Sequence, residues 1–327
     1  MARRNGALPS ERAGARAKSA ATGNPAVTLR STLQRLWNIG HIGMTPPRPD
    51  ADRRGVAIVM IVRDEATHIG EWADFHARAG ARAVLVYDNG CTDATLPILR
   101  DRLGARLTVV PWRQLLTDGM LRREIHNQAL AYAHAASNFG GAFRWMAFID
   151  ADEFLVPKRA RDLDGALAHL GGAANISLPW HMFGRSGHMT PPEGGILRNY
   201  LMRAADPMSD APGLRQFKCI VDPCRLTTVG VHSFATRSST RTANDRGHEV
   251  GLRDRDRRAF YSADHVQLNH YYARSQAELE AKIGRGPNLA SKAPEYRRKV
   301  LRTVASIERD EVEDRAALEF LARLDQM

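Results

Sequence analysis

The run GVAIVMIV at 55–62 contains eight residues and no polar side chain. A strand with one face in water alternates apolar and polar residues, whereas an unbroken apolar run of strand length belongs to a strand covered on both faces. The neighbouring segments supply the covering layers. ATHIGEWADFHARAG (66–80) puts Ile69, Trp72, Phe75 and Ala79 on one helical stripe and stops at Gly80. ARAVLVYD (81–88) is a second strand, LPILRDRL (96–103) a short helix with proline in its first turn, and LTVVPW (107–112) a third strand. LRREIHNQALAYAHAAS (121–137) is predicted as a long helix and FRWMAFID (143–150) as the fourth strand. Strands alternating with helices from 55 to 150 build βαβ units, and so an α/β chain with a mainly parallel, doubly wound sheet.

Sheets of this kind bind ligands beyond the carboxyl ends of their strands. Here those ends read Arg63-Asp64-Glu65, Asp88-Asn89-Gly90 and Asp150-Ala151-Asp152-Glu153. Side chains alternate along an extended chain, so Asp150 and Asp152 are expected on one side, with Glu153 pointing away. Two adjacent carboxylates repel unless a cation lies beside them, and a few hard oxygen ligands suit Mg²⁺ or Mn²⁺ carrying a diphosphate. The chain has no G-x-x-x-x-G-K-[ST] loop, and no G-x-G-x-x-G follows the first strand. A carboxylate at such a strand end can accept hydrogen bonds from a ribose hydroxyl or a base N–H. The three clusters therefore suit a nucleoside-diphosphate donor held through metal, without a glycine cradle.

Elsewhere the sequence sets bounds. Hydrophobic residues make up 43% of the 327 and charged residues 25%, ordinary for a soluble globular chain. No apolar run is long enough to span a bilayer, and the first 23 residues lack the apolar stretch of a secretory signal. Three cysteines, Cys91, Cys219 and Cys224, are too few for a disulfide framework and point to a reducing, cytoplasmic setting. Cys219 and Cys224 with His232 match no strong zinc spacing. The net charge of +11 suits anionic phosphates, nucleic acid or an acidic membrane face equally. Without a lysine-rich block or basic-aromatic face, no nucleic-acid partner is expected. Residues 1–52 are expected as a disordered basic tail and linker able to rest on the inner membrane face, with STLQRLWNIG (31–40) as a short docking helix. Residues 53–290 are expected as the catalytic domain, and 291–327 as a helical extension.

IVRDEATHIGEWADFHARAGARAVLVYDNGCTDAT (61–95) resembles the opening of the family 2-like and family 92-like glycosyltransferases, and WMAFIDADEFLVP (145–157) their strand ending in D-x-D-E-F. The resemblance continues in order through HMFGRSGH (181–188), FKCIVDP (217–223), VGVHSF (229–234) and LNHYYARSQAELEAKIGRG (268–286). It implies the A-type glycosyltransferase fold, with a Rossmann-like sheet and a smaller mixed region on the acceptor side. It implies a metal-dependent enzyme that moves a sugar from a nucleoside-diphosphate donor to a glycan or polysaccharide acceptor, with inversion. Glu65 and Asp88 would line the nucleoside pocket, with Arg63 beside them. Asp150 would lie near the ribose and metal, and Asp152 would ligate the Mn²⁺ or Mg²⁺ directly. Asp64 stands where the families usually carry Asn, and Cys91 where they carry Ser, which leaves the base preference open.

Of twelve histidines, His188, His232 and His270 fall in matching motifs. A neutral imidazole there can complete the metal sphere; His270 is favoured and His232 is second. Lys218, Arg274 and Lys282 are candidate countercharges for the leaving diphosphate. Glu193 and Asp210 are the two candidates for the base that an inverting transfer requires, and Trp180 and Phe183 for stacking on a sugar. Two rivals remain: a Mg²⁺-dependent nucleotidyltransferase, and a non-catalytic basic module for nucleic acid or membrane.

Overall fold

A computed structural model describes residues 40–120, 124–237, 240–286 and 293–326. The apolar run forms β1 (Val56–Val62), followed by helix α1 (Ile69–Arg78) and β2 (Ala83–Asp88). Next come α2 (Thr95–Leu103), β3 (Leu107–Pro111), α3 (Asn127–Phe139) and β4 (Trp145–Phe148). These four strands are mutually parallel in the order β3-β2-β1-β4. Val56, Ile58 and Met60 pack with Trp72 and Phe75 of α1, whereas Ala57 and Val59 pack with Ala131, Tyr132 and Ala135 of α3. The run is apolar throughout because each face carries its own helical layer.

Beyond β4 the sheet changes character. β5 (Glu153–Pro157) leaves the main sheet, β6 (Asn175–Phe183) returns to it, and β7 (Phe217–Val221) lies between β4 and β6, antiparallel to both. Residues 175–179 of β6 pair with β7, and 180–183 pair in parallel with β8 (Val266–Tyr271), which runs antiparallel to β5. One nine-residue strand thus joins the main sheet to a smaller mixed one. The α/β architecture expected from the sequence is the one observed.

Three boundaries differ from expectation. The long helix begins at Asn127, because Ile125 N–H bonds the Leu116 carbonyl (2.8 Å) and His126 stays extended (ψ 106°). Residues 40–52, assigned to the linker, are folded: Ile42–Gly43 pairs with Leu226–Val229, and Asp50 N–H bonds the Gly141 carbonyl at 3.0 Å. The rest of the tail, with nearly all of the 31–40 segment, lies outside the described residues. The C-terminal segment is no appendage. After α4 (Gln276–Arg285), α5 (Ala293–Ile307) buries Val300, Val304 and Ile307. Glu311–Glu313 pairs with Met202–Ala204, and helix Ala316–Asp325 drives Phe320 edge-on against Phe75 of α1 at 5.5 Å. The physical reason is an amphipathic pattern whose apolar stripe completes the α1 layer. Among the described residues, no helix is long and apolar enough to cross a membrane.

If the last helix belongs to this core, Phe320→Ala should cost about 3–5 kcal/mol of unfolding free energy. Urea unfolding monitored by circular dichroism measures this, and a loss of only a few tenths would mean the helix is peripheral.

Candidate functional site

The three acids of Asp150-Ala151-Asp152-Glu153 do three different things. β4 ends at Phe148, and the chain turns before β5 begins at Glu153. Glu153 closes this turn twice: its N–H bonds the Asp150 carbonyl (3.1 Å), and its Oε2 accepts from Asp150 N–H (2.9 Å). Its side chain is fully buried, and burial pushes its carboxyl well above the ordinary value against the pull of Lys218. Asp150 is gripped at both oxygens: Oδ1 accepts from Gln128 Nε2 at 2.6 Å and Oδ2 from Lys218 Nζ at 2.8 Å. Burial opposes its ionisation, but the Lys218 ammonium wins and holds it below the ordinary value. Lys218 is itself buried; desolvation alone would lower its pKa, and Asp150 and Glu153 raise it instead.

Asp152 is the acid directed toward cations. Its Oδ2 lies 3.4 Å from His270 Nε2 and 3.3 Å from Lys282 Nζ. Burial opposes ionisation here too, yet His270 and Lys282 hold the carboxyl well below its ordinary value. The His270 pKa is lowered by burial, with Asp152 opposing. Its Nδ1 is 3.8 Å from Glu153 Oε1, and both atoms are buried without a hydrogen-bond partner. A metal-bound imidazole usually donates its other ring N–H to a carboxylate or carbonyl; Glu153 stands in that direction from His270, but at 3.8 Å the bond is not made.

Gln128, Asp150, Asp152, His270 and Lys282 line a cleft of about 1070 Å³ at the carboxyl ends of β1 and β4, with Glu153 and Lys218 buried behind them. Arg63, Asp64, Glu65, Asn89, Gln128, Asp150 and Asp152 line it on the sheet side. Trp180 and His270 form one wall, with the indole edge-on to His270 at 4.3 Å. Lys282, Arg285, Tyr296, Arg298, Lys299 and Arg302, from α4 and α5, form the other. Arg285 and Arg274 both reach Glu65, at 3.3 and 3.4 Å. His232 also lines the cleft. Its Nδ1 must be the protonated nitrogen, because it bonds the Phe217 carbonyl at 3.0 Å, which leaves Nε2 as the acceptor. Burial, then Lys218, pushes its pKa down to about 3.

Several expected placements are not met. Asp150 and Asp152 do not extend side by side, since the backbone between them turns. Asp150, Asp152 and His270 do not converge as a three-ligand set; of the three, Asp152 and His270 face each other at 3.4 Å. Among the described residues, the grouping that does converge is Asp64, Cys91 and Asp93, within 4.8 Å. It staples two loops: Asp64 Oδ1 accepts from Thr92 N–H (2.7 Å) and Asp93 Oδ2 from Ala66 N–H (3.0 Å). Asp88 spends Oδ1 on the turn amides of Gly90 and Cys91 (3.0 and 2.8 Å), and its neighbour Asn89 lines the cleft in its place.

Neither candidate base reaches the cleft. Glu193 is exposed on a loop whose carbonyl Asn199 holds at 2.8 Å, and Asp210 is exposed and pairs with Arg215. Phe183 is buried core stacked on Tyr271, and His188 Nε2 lies 3.1 Å from the Asn199 carbonyl, away from the cleft. Cys219, Cys224 and His232 form no metal set. Cys219 Sγ meets Ser177 and Cys224 Sγ the Gly140 carbonyl. The sequence alone did not point to Gln128, Arg285, the α5 cations or Tyr272, whose ring lies 4.1 Å from Lys282 Nζ at the cleft. A glutamine on the buried face of an alanine-rich helix was the available signal for the first.

A profile of glycosyltransferase family 92 matches residues 56–303, reaching from β1 into α5. A family 92 protein of Ricinus communis is 25% identical over 235 residues, 67% of this chain and 39% of its own length. One from Oryza sativa subsp. japonica is 26% identical over 234 residues, 67% of this chain and 37% of its own. The chain thus spans well under half of the curated relatives it matches. Among solved structures, a mannosyltransferase of Pyrobaculum calidifontis in complex with GDP-Man and Mn²⁺ aligns at 21% identity. It covers 47% of this chain and 44% of that one, with a TM-score of 0.27.

Two measurements probe the charge network. Lys218→Met strands the Asp150 carboxylate without its buried partner and should destabilise by about 3–5 kcal/mol. Glu278, which closes the capping box of α4 on Ser275 and also bonds His68, is held at about 2 against an ordinary 4.5; burial opposes this, and His68 and Ser275 prevail. A depressed carboxylate stabilises above its unfolded pKa and loses that contribution as pH falls through its folded one. Stability curves from urea unfolding should therefore differ between wild type and Glu278→Gln above pH 4.5, and converge between about 4.5 and about 2.

Proposed function

The chain belongs to glycosyltransferase family 92, and from that we propose that it transfers a sugar from a nucleoside-diphosphate donor to a glycan or polysaccharide acceptor, using a divalent cation. The observation that carries this reading is the Asp152–His270 edge, 3.4 Å apart, in a cleft at the ends of parallel strands. The donor set suits the ion: one ionised carboxylate, one neutral imidazole, and a buried Glu153 behind the imidazole. A Mn²⁺ or Mg²⁺ ion bound there would offset charge on the departing diphosphate.

The remaining roles fall to the chain's own groups. Lys282 and Arg285 supply fixed positive charge beside Asp152 and Glu65, where phosphate oxygens would be placed. Asp150, immobilised by Lys218 and Gln128, presents its remaining lone pairs to a ribose hydroxyl. Asn89, Arg63 and Glu65 sit where the nucleoside would lie. Trp180 closes the wall beside His270 and limits water at the reacting carbon. Attack by the acceptor hydroxyl on the face opposite the diphosphate would form the new C–O bond as the donor's C–O bond breaks; the electron pair would leave on the diphosphate and the hydroxyl proton pass to cleft water, since neither Glu193 nor Asp210 lines the cleft, and the outcome would be inversion. The free thiols of all three cysteines support a cytoplasmic setting. Contact of the basic tail with an acidic membrane face is part of the same proposal.

Slow hydrolysis of a nucleotide-sugar with Mn²⁺ tests the reading without knowledge of the acceptor. Asp152→Asn should lower that rate by about 10²–10³-fold while the unfolding midpoint stays near that of the wild type. A folded Asp152→Asn protein with undiminished turnover would refute the assignment.

A further inference from the structure

Glu295, Arg298, Lys299, Arg302 and Thr303 fall at i, i+3, i+4, i+7 and i+8 of α5, one helical face, and all line the cleft. The opposite face of the helix buries Val300 and Val304, so the polar stripe is held toward the cavity by packing. Its cations differ from those of α4. Lys282 is matched by Asp152 at 3.3 Å, and Arg285 by Glu65 at 3.3 Å. On α5, Glu295 is the stripe's one carboxylate and lies 3.9 Å from Arg298. Lys299 and Arg302 are exposed and have no ion-pair partner among the described residues.

A cleft wall is a costly place for unopposed cations: they repel one another across a cavity with low-dielectric walls, which focus the field. On the donor reading, the diphosphate lies beside Asp152 and Glu65, where Lys282 and Arg285 already stand. The α5 cations stand on a separate helix of the same wall and pair with neither carboxylate. We infer that this face selects the acceptor, and that the acceptor is an anionic glycan whose carboxylate or phosphate groups dock on Lys299 and Arg302, with Arg298 beside them. The inference rests on the glycosyl-transfer reading of the cleft and adds the charge class of its second substrate. The two residues are specificity-determining groups. Arg302 offers a fork that matches carboxylate and phosphate geometry, and Lys299 adds a mobile point charge.

Equilibrium binding decides this without turnover. Tetragalacturonate would be titrated against its fully methyl-esterified twin, and maltotetraose phosphate against maltotetraose, by calorimetry with and without UDP and Mn²⁺. Wild type should bind at least one charged sugar about tenfold more tightly than its neutral twin. Which pair shows the preference tells carboxylate from phosphate. The preference should vanish in Lys299→Glu/Arg302→Glu and survive in Lys299→Arg/Arg302→Lys. Equal binding of charged and neutral twins overturns the inference, as does a preference untouched by charge reversal. Displacement of UDP by the charged sugar also overturns it, because the α5 cations would then serve the donor. Failure of any nucleoside diphosphate to bind would instead count against the donor reading, and the comparison of twins would still decide the acceptor's charge.

Discussion

The Lys218 ammonium sits among packed strands with 1% of its side chain exposed. Taking such a charge out of water costs several kcal/mol, recovered only by close partners of opposite sign. Asp150 at 2.8 Å and Glu153 at 3.7 Å are those partners. Burial drives Glu153 toward its neutral form while Lys218 keeps Asp150 ionised, so the cluster approaches one positive and one negative charge. That near-neutrality is what allows three ionisable groups to share a buried turn. It also decides what is left over. Asp150 is held by Lys218 and Gln128 and Glu153 by the turn, while Asp152 faces His270 Nε2 and Lys282 across the cleft.

Much of this was legible in the sequence, for local reasons. A run with no polar residue at 55–62 implies two helical layers, and the cores on its two faces are those layers. Acids at successive strand ends mark the ligand-binding end of a parallel sheet, and Glu65, Asp150 and Asp152 all line the cavity there. Regular backbone periodicity does not hold where the chain bends. Alternation put Asp150 and Asp152 side by side, but alternation holds only along an extended strand, and Glu153 folds this segment into a turn. Glu193 and Asp210 lie in exposed loops with local partners, Asn199 and Arg215. The sequence shows the carboxylates but not which way such loops face. The cations of α5 were visible as the polar side of an amphipathic helix. That this side meets a cavity depends on where the apolar side docks, which is tertiary information.

The crevice that doubly wound sheets use for ligands lies where the strand order reverses, here between β1 and β4, and β6 supplies one of its walls. The first half of β6 belongs to the main sheet through β7 and its second half to the smaller sheet through β8. Trp180 is the first residue of the second pairing, opposite Leu268, and its indole lies against both His270 and His232. This change of partner brings β8, and with it His270, alongside the turn that carries Asp152. Tyr271 N–H bonds the Asp152 carbonyl at 2.9 Å and locks the two together. The meeting of Asp152 and His270 is therefore a product of strand pairing: His270 stands on β8, and Asp152 on a turn pinned to it.

The charge of the chain takes on a different meaning in this setting. A surplus of +11 spread evenly would indicate little beyond a preference for anions. Instead the carboxylates of the cleft lie mainly on the sheet side and the cations mainly on the α4–α5 side. Opposed walls create a field across the cavity, strongest where water is thinnest. A bound cation moves toward the sheet in such a field, and phosphate or carboxylate groups move toward the helices. The polarity of the cavity is thus set by the protein's own charges.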